Sequence, residues 1–295
     1  IALPEHSLMT NHVLGLLEKQ PCTIIQGPPG TGKTHLVASI CADYLKRKKS
    51  ICVTTSTNKT LLEIAEKEPL KKWLQQGKLS KTNLSVDEKK TLPELKNAKN
   101  KLAIQGEMML STYFLLSDEI NELSLKANKF DLLVIEEASQ AFLASIAAFI
   151  ELGKIVLIVG DPMQLYPIIH EEEQCSLIHP MISIAVRGLQ TFAYSNEPIS
   201  YRINDTYRLT HRAAKQTGVF YNNELKSVSP LNNQKLLETN FEDILSNEGG
   251  TTIMKFCLTA SSTDCISTAV KIALDIRENN PKFNVYSGMF DFSDA

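Results

Sequence analysis

Continuous apolar runs alternate with amphipathic stretches through the first half of the chain. The runs "CTIIQ" (22–26), "LLVI" (132–135) and "KIVLIVG" (154–160) have the composition of strands that a parallel sheet buries on both faces. Between the first two, "THLVASICADYLKRKK" (34–49) places its apolar residues at helical spacing. The alternation extends from about position 21 to about position 167. It predicts an α/β fold with a parallel sheet whose ligands bind at the carboxyl ends of the strands.

One polar stretch interrupts this alternation. Residues 67–101 are rich in Lys, contain few strand-forming runs and include the sole Trp of the chain, Trp73. We therefore expect a helical insert within the first domain.

Charge is distributed unevenly along the chain. The net charge is only −2, but residues 46–101 carry 15 Lys or Arg against six Asp or Glu, a local balance of +9. The other residues carry 16 against 27, a balance of −11. A basic segment on an acidic body indicates a polyanionic partner, although a solvated helical surface accounts for the same charges.

The composition excludes several classes of protein. Hydrophobic residues make up 43% of the 295 residues, as in globular proteins, and no apolar run reaches the length of a membrane span. Six Cys residues are scattered without a C-x-x-C spacing, so neither a disulfide framework nor a zinc site is expected. The chain begins "IALPEHS", with neither Met nor a signal segment, and ends at "FDFSDA". We expect a fragment of a longer intracellular protein, cytoplasmic or nuclear.

The segment between the first strand and the first long helix matches the phosphate-loop pattern G-x-x-x-x-G-K-[ST]. Its glycines let backbone N–H groups turn towards a ligand, and the helix that begins near Lys33 adds the positive end of its dipole. Lys33 is suited to neutralise the β- and γ-phosphates of a nucleoside triphosphate, and the Thr34 hydroxyl is suited to bind Mg²⁺. A Gly-rich turn that only caps the helix is the structural alternative. The predicted nucleotide-binding residues are Gly27, Pro28, Pro29, Gly30, Thr31, Gly32, Lys33 and Thr34.

Two further strand ends carry polar residues that suit the same chemistry. Glu136 and Glu137 follow the apolar run 132–135, and Gln164 follows the run 154–160 in "GDPMQLYP". Phosphoryl transfer needs an acid for the metal and a group that orients the attacking water. We predict that Glu136 reaches Mg²⁺ through water, that Glu137 polarises the attacking water, and that Gln164 senses the γ-phosphate.

The ordered motifs "QGPPGTGKT", "EEASQ", "GDPMQLYP" and "DTYRLTHRAAKQTGVFYNNEL" resemble superfamily 1 helicases. The resemblance is to the 5'-to-3' group that includes the nonsense-mediated-decay RNA helicase and its DNA-acting relatives. It extends from about position 21 to about position 225. The first acid of the metal-binding motif is Glu136 here, where the family has Asp. The family's adenine-reading glutamine is replaced by Thr10 or Asn11.

The resemblance implies a catalytic activity and a partner. The family hydrolyses ATP with Mg²⁺ to move along single-stranded DNA or RNA. By position, Thr57 and Asn58 in "VTTSTNKT" and Thr112 in "MLSTYF" contact the nucleic-acid backbone. Arg208 contacts the γ-phosphate, and Tyr207 stacks near the adenine. Lys33, Glu137, Gln164 and Arg208 are the catalytic residues on this reading.

The resemblance also implies a domain organisation. Residues 1–195 form a first RecA-like ATP-binding domain with the insert 67–101, and residues 196–295 form part of a second. "TTIMKFCL" (251–258) and "KFNVYSGM" (282–289) are predicted strands of this second domain. The family's last motifs are absent, so we expect the C-terminal part of that domain to be missing. Such a fragment should bind ATP and Mg²⁺ but hydrolyse ATP slowly and not unwind a duplex.

Family members carry an insert over the nucleic acid at the place of segment 67–101. Its lysines are therefore predicted to contact phosphates, while Trp73 either stacks on a base or forms the core of the insert. The lysines in question are Lys71, Lys72, Lys78, Lys81, Lys89 and Lys90.

Two other classes of function are compatible with a phosphate loop. The chain could be a nucleotide-binding switch or a P-loop ATPase that remodels protein or nucleoprotein complexes without unwinding. It could also be a noncatalytic scaffold that keeps the fold. The Gln164 loop and the segment at Thr57 and Asn58 favour the helicase over the switch and the remodelling ATPase. Lys33, Glu137 and Gln164 argue against the scaffold.

Overall fold

A computed structural model describes residues 1–4, 6–98, 103–118, 129–165, 189, 200–232, 237–246, 248, 250–252 and 262–281. The chain consists of two compact units, Ile1–Asp205 and Thr206–Ala295. Among the described residues, no helix is long and apolar enough to cross a membrane.

The first unit is built on an eight-stranded sheet in the order β4-β3-β5-β2-β6-β7-β1-β8. Every pair of neighbours in this sheet is parallel, which confirms the predicted parallel α/β fold. The strands are β1 (Cys22–Gln26), β2 (Ile51–Thr55), β3 (Leu79–Lys81), β4 (Lys96–Asn97), β5 (Met108–Thr112), β6 (Phe130–Ile135), β7 (Gly153–Gly160) and β8 (Ser200–Arg202).

Helices connect these strands and cover the sheet. They are α1 (His6–Leu17), α2 (Lys33–Lys46), α3 (Asn58–Ala65), α4 (Glu68–Gln75), α5 (Val86–Thr91), α6 (Tyr113–Ser117) and α7 (Leu143–Ile150), with a 3₁₀ turn at Ala138–Gln140.

Both faces of the sheet are buried, as the continuous apolar runs predict. In β6, Leu132 and Val134 belong to an apolar cluster shared with α1 to α4, while Leu133 and Ile135 belong to a second cluster shared with α6 and α7. Successive side chains of a strand point to opposite faces, so each face has its own core. The carboxyl ends of the central strands are therefore held rigidly at one edge.

Segment 67–101 differs from the predicted helical insert. It forms α4 and α5, but it also contributes β3 and β4, and β3 pairs with β5 in the register Leu79↔Met108. The sheet is thus extended by this segment. The pattern concealed β3 because the strand is only three residues long and ends in Lys81, whose side chain is 1% exposed and paired with Glu88. Residues 99–101 lie outside the described residues.

A two-stranded sheet consists of β9 (Asp205–Thr206), which begins at the boundary between the units, and β10 (Lys226–Ser227). The second unit also includes α8 (His211–Gly218), a 3₁₀ turn (Val219–Tyr221) and α9 (Ser262–Asn279). The predicted strand 282–289, most of the predicted strand 251–258, and the predicted domain start at position 196 lie outside the described residues.

Candidate active site

The phosphate loop lies between the end of β1 and the start of α2. Gly30 and Gly32 have φ angles of 74° and 82°, in the left-handed region that favours glycine. At Gly27, an added Cβ would lie 2.7 Å from Thr31 Oγ1 and 2.9 Å from Lys33 Cγ. These three glycines therefore let the backbone fold tightly around the position of a ligand.

Lys33 points into the loop that precedes it. Its Nζ donates hydrogen bonds to the carbonyl oxygens of Gly27 at 2.6 Å and Pro28 at 3.1 Å, and Thr31 Oγ1 donates to the Pro28 carbonyl at 2.9 Å. The ammonium group is therefore already inside the turn where a phosphate would meet it. The loop is preformed, because its own hydrogen bonds fix it.

The end of β6 meets the start of α2 at the second part of the site. Thr34 Oγ1 donates to Glu136 Oε1 at 3.3 Å. Glu136 is only 2% exposed, and its second oxygen, Oε2, is buried without a hydrogen-bond donor. The two residues predicted to hold Mg²⁺ are thus in contact.

Burial raises the pKa of Glu136 to about 7, and the negative charge of Glu137 acts in the same direction. The Lys33 ammonium and the hydrogen bond from Thr34 oppose this rise. A buried carboxylate oxygen without a donor is costly unless it finds a partner, and carboxylate with hydroxyl oxygen is a donor set that suits Mg²⁺. The residues present therefore fit the metal that the sequence predicts.

Glu137 has an unusual backbone conformation, and its carboxylate accepts hydrogen bonds from two side chains. Its φ of 55° places it in the left-handed region, just before the 3₁₀ turn. Its Oε2 accepts hydrogen bonds from Ser56 Oγ at 2.7 Å and Thr55 Oγ1 at 3.2 Å. Both donors come from the end of β2, the strand adjacent to β6. The carboxylate is consequently held in one orientation.

Tyr113 is a member of the site that sequence reasoning missed. Its hydroxyl donates to the backbone carbonyl of Glu136, and its ring stacks on Phe149 with centroids 5.8 Å apart. Burial holds the pKa of the Tyr113 phenol well above its usual range, and the charges of Glu136 and Glu137 act in the same direction. The only sequence signal was its position directly after Thr112.

The end of β7 lies close to the 3₁₀ turn that follows the acidic pair. An added Cβ at Gly160 would lie 3.0 Å from the backbone nitrogen of Ser139, so only a glycine fits without displacement. Asp161 is buried, and its Oδ1 accepts from the backbone N–H of Met163 at 3.1 Å. Gln164 is exposed at this turn. Positions 166 and 167 of the motif lie outside the described residues.

Thr57 and Thr112, two of the predicted backbone-contacting residues, cap helices at the same edge of the sheet. Thr57 Oγ1 accepts from the Thr60 N–H at 3.2 Å at the start of α3, and Thr112 Oγ1 accepts from the Leu115 N–H at 3.4 Å at the start of α6. Asn58 is exposed beside Thr57. These caps are a structural role that the residues have in addition to any contact with nucleic acid.

Arg208 and Tyr207 belong to the second unit. Both follow β9, and both are exposed. The other predicted catalytic residues, Lys33, Glu137 and Gln164, belong to the first unit.

The lysines of segment 67–101 fall into different environments. Lys71 and Lys72 are exposed, and Lys72 Nζ lies 5.5 Å from the centre of the Trp73 ring. Lys81 is buried and bonds Glu88 Oε2 at 3.1 Å, which makes it part of the core and corrects its predicted contact with phosphate. Trp73 itself packs against the main apolar cluster of the first unit.

The other three lysines have protein partners at the surface. Lys78 pairs with Glu107 at 3.6 Å and Lys90 with Asp87 at 2.9 Å, while Lys89 donates to the carbonyl of Leu95 at 2.7 Å.

Comparison with known proteins gives relatives over part of the chain. A 139-residue stretch, 47% of this chain, is 29% identical to an uncharacterised ATP-dependent helicase of Methanocaldococcus jannaschii and covers 19% of that protein. The structure of the PRRSV helicase matches 75% of this chain and 38% of its own, at 14% identity and a TM-score of 0.41. The Pif1 helicase from Candida albicans matches 76% of this chain and 44% of its own, at 16% identity and a TM-score of 0.37.

The chain therefore spans about a fifth of that curated relative and less than half of these two structures. A family model described as "AAA domain" (AAA_19) matches residues 12–170, which is more than half of the chain and includes the phosphate loop, the acidic pair and the loop after β7. The chain belongs to this family of AAA domains.

Proposed function

We propose that the protein is an ATP-dependent helicase or translocase of superfamily 1 that hydrolyses ATP to move along single-stranded DNA or RNA. The observation that carries this proposal is the contact between Thr34 and Glu136 at 3.3 Å, with a buried Glu136 oxygen left without a donor. It joins a phosphate loop to a metal-binding acid in one rigid sheet edge. The helicase name of the archaeal relative supports the nucleic-acid part of the proposal.

Each residue of the first unit has a defined role in this proposal. Thr34 would hold Mg²⁺ and Glu136 would reach it through water, and the bound metal would neutralise charge on the phosphates of ATP. Lys33 gives up its contacts with the Gly27 and Pro28 carbonyls and neutralises the β- and γ-phosphates. The backbone N–H groups of the loop donate to the remaining phosphate oxygens.

Glu137 acts on the attacking water. Ser56 and Thr55 both donate to Oε2, so we assign Oε1 as the oxygen that accepts the proton. Two fixed donors limit rotation of the carboxylate, which keeps this oxygen aimed at one point. Gln164 orients the same water from the loop after β7.

The remaining roles rest on the resemblance to superfamily 1 helicases. Arg208 contacts the γ-phosphate and Tyr207 the adenine, while Thr57, Asn58 and Thr112 contact the backbone of the strand. Movement in the 5'-to-3' direction and kinship with the nonsense-mediated-decay helicase group belong to this proposal as well.

The test is ATP hydrolysis with and without single-stranded DNA or RNA. We expect either strand to stimulate hydrolysis, and we expect Glu137→Gln to retain ATP affinity while lowering kcat by about 100-fold or more. Ser56→Ala should lower kcat by about 10-fold at unchanged KM, because Glu137 loses its shorter hydrogen bond. Ser39→Ala, an exposed hydroxyl that bonds the His35 carbonyl on α2, is the matched control.

The outcomes separate the alternative functions. Hydrolysis that depends on Glu137 but is indifferent to both nucleic acids would indicate a remodelling ATPase. A protein that binds ATP without hydrolysing it under any condition would indicate a scaffold.

A further inference from the structure

The turn from β5 into α6 holds two consecutive aromatic residues that differ in exposure. Tyr113 is half-buried in the first unit, where its hydroxyl donates to the Glu136 carbonyl. Phe114, the next residue, is 73% exposed. Thr112 caps the helix that both residues begin. One ring therefore anchors the turn, and the other projects from it at the edge of the sheet that carries the candidate active site.

The neighbouring strand ends at the same height and presents polar groups. β2 and β5 are paired in the register Thr55↔Thr112, so the segments that follow them leave the sheet side by side. After β2, Thr57, Asn58 and Lys59 are all exposed. Two neighbouring segments, one with an exposed aromatic ring and the other with polar and basic side chains, have the composition by which proteins bind single strands without reading their sequence.

We propose that Phe114 stacks on a base of the single strand whose backbone lies along the turn from Thr57 to Lys59. This inference rests on the proposed function and adds to it a contact with the base itself. Because every base has a π-face, the contact is tolerant of sequence.

The rigidity of the turn distinguishes Phe114 from an ordinary exposed apolar residue, which by itself needs no explanation. The cap at Thr112, the hydrogen bond of Tyr113 and the stacking of Tyr113 on Phe149 fix the backbone on which Phe114 sits. A ring held on a fixed backbone loses less freedom when a base binds it. The same turn contacts Glu136, so strand binding and the acidic pair share one structural element.

The experiment measures the affinity of a labelled oligothymidine and of the same oligomer with abasic sites in place of its bases. We expect Phe114→Ala to weaken binding of the oligothymidine by about 5- to 150-fold and to leave binding of the abasic oligomer unchanged. Phe114→Trp should retain the wild-type preference for bases. Lys59→Gln should weaken both oligomers alike and reduce the salt slope of log K by about 0.7.

Phe220→Ala is the matched control, because Phe220 is also a strongly exposed phenylalanine, at 64%, but does not follow a strand of the eight-stranded sheet. It should bind both oligomers as the wild type does. Thermal unfolding of each variant establishes that it is folded.

Each contrary outcome overturns a defined part of the reasoning. If Phe114→Ala binds the oligothymidine as tightly as the wild type, Phe114 does not stack and the proposed function stands. If Phe114→Ala weakens both oligomers equally, the residue supports the fold or the backbone contact, and stacking is again excluded. If the wild type binds neither oligomer, the inference falls together with the proposed function.

Discussion

Replacing Glu136 with Gln should stabilise the protein in the absence of nucleotide, although it removes a proposed metal ligand. The pKa of this carboxyl rises from its ordinary value of 4.5 to about 7 on folding, chiefly because burial disfavours the charged form. Each pKa unit corresponds to about 1.4 kcal/mol, so the ionised side chain costs the fold about 3 kcal/mol above neutral pH. A neutral amide in its place avoids that cost.

The effect has a definite dependence on pH. Between 4.5 and about 7 the folded state holds a proton on Glu136 that the unfolded state has released. Wild-type stability therefore declines through this window as the pH rises, and the penalty is complete above it. The variant lacks this dependence on pH, so its stability relative to the wild type should rise from about pH 4.5 upwards and be greatest at about pH 8.

The buried amide of the glutamine reduces the expected gain in the free energy of unfolding. Its oxygen can still accept the hydrogen bond of Thr34, but its NH₂ group takes the buried place of Glu136 Oε2, which has no hydrogen-bond partner. Burying those donors costs about 1 to 2 kcal/mol, which leaves a net stabilisation of about 1 to 2 kcal/mol.

Tryptophan fluorescence in urea provides the measurement. The chain has one Trp, and Trp73 packs against the main core of the first unit, so its signal reports the unfolding of the unit that contains Glu136. Glu66→Gln, at an exposed position directly after α3, is the control and should show no pH-dependent difference. Excess Mg²⁺-ATP should reverse the order, because ligand at about 100 times its Kd stabilises the wild type by about 2.7 kcal/mol. The reasoning is refuted if the variant is no more stable at about pH 8, or if the difference does not change with pH.

Three other substitutions test separate parts of the structure. Lys33→Ala should abolish ATP affinity and leave urea unfolding nearly unchanged, and retained affinity would remove the phosphate-loop assignment. Asp131→Asn should lower the free energy of unfolding by about 2 to 4 kcal/mol at neutral pH, because the buried carboxylate accepts from both the N–H and the hydroxyl of Ser50. Although burial alone would raise the pKa of Asp131, an ion pair and these hydrogen bonds hold it well below its usual range, so the deficit should shrink as the pH falls below about 4; a constant deficit would contradict this. Replacing Lys71 and Lys72 with Gln should reduce the salt slope for single-strand binding by about 0.7 per phosphate contact, and an unchanged slope would leave them as solvated surface.

The fold class could be predicted because a buried parallel strand is a continuous apolar run. β6 and β7 are both of this kind, and each is followed at once by polar residues, so their carboxyl ends were also visible. β3 was not visible, because its core-facing positions include Lys81. A lysine whose ammonium is satisfied by Glu88 and by backbone carbonyls behaves as a core residue, and no pattern of apolar positions detects it. The number of lysines in segment 67–101 is therefore larger than the number of ammonium groups that the segment exposes to a ligand.

Strand order explains why the candidate site could be predicted only in part. The phosphate loop and the acidic pair follow β1 and β6, and each is recognisable in its own segment of sequence. The crossover connections do not reveal that β2 lies between β5 and β6. That order places Ser56 against Glu137 and brings Tyr113 to the Glu136 carbonyl.

Each of these two residues is adjacent in sequence to a residue predicted to contact the nucleic-acid backbone, Thr57 or Thr112. A shift of either segment of about 1 Å would alter a hydrogen bond to the acidic pair, and misplacement on that scale can cost a catalytic group about 100-fold in rate. The pairing of β2 with both β5 and β6 thus gives the proposed strand-binding residues a direct physical route to the proposed catalytic base.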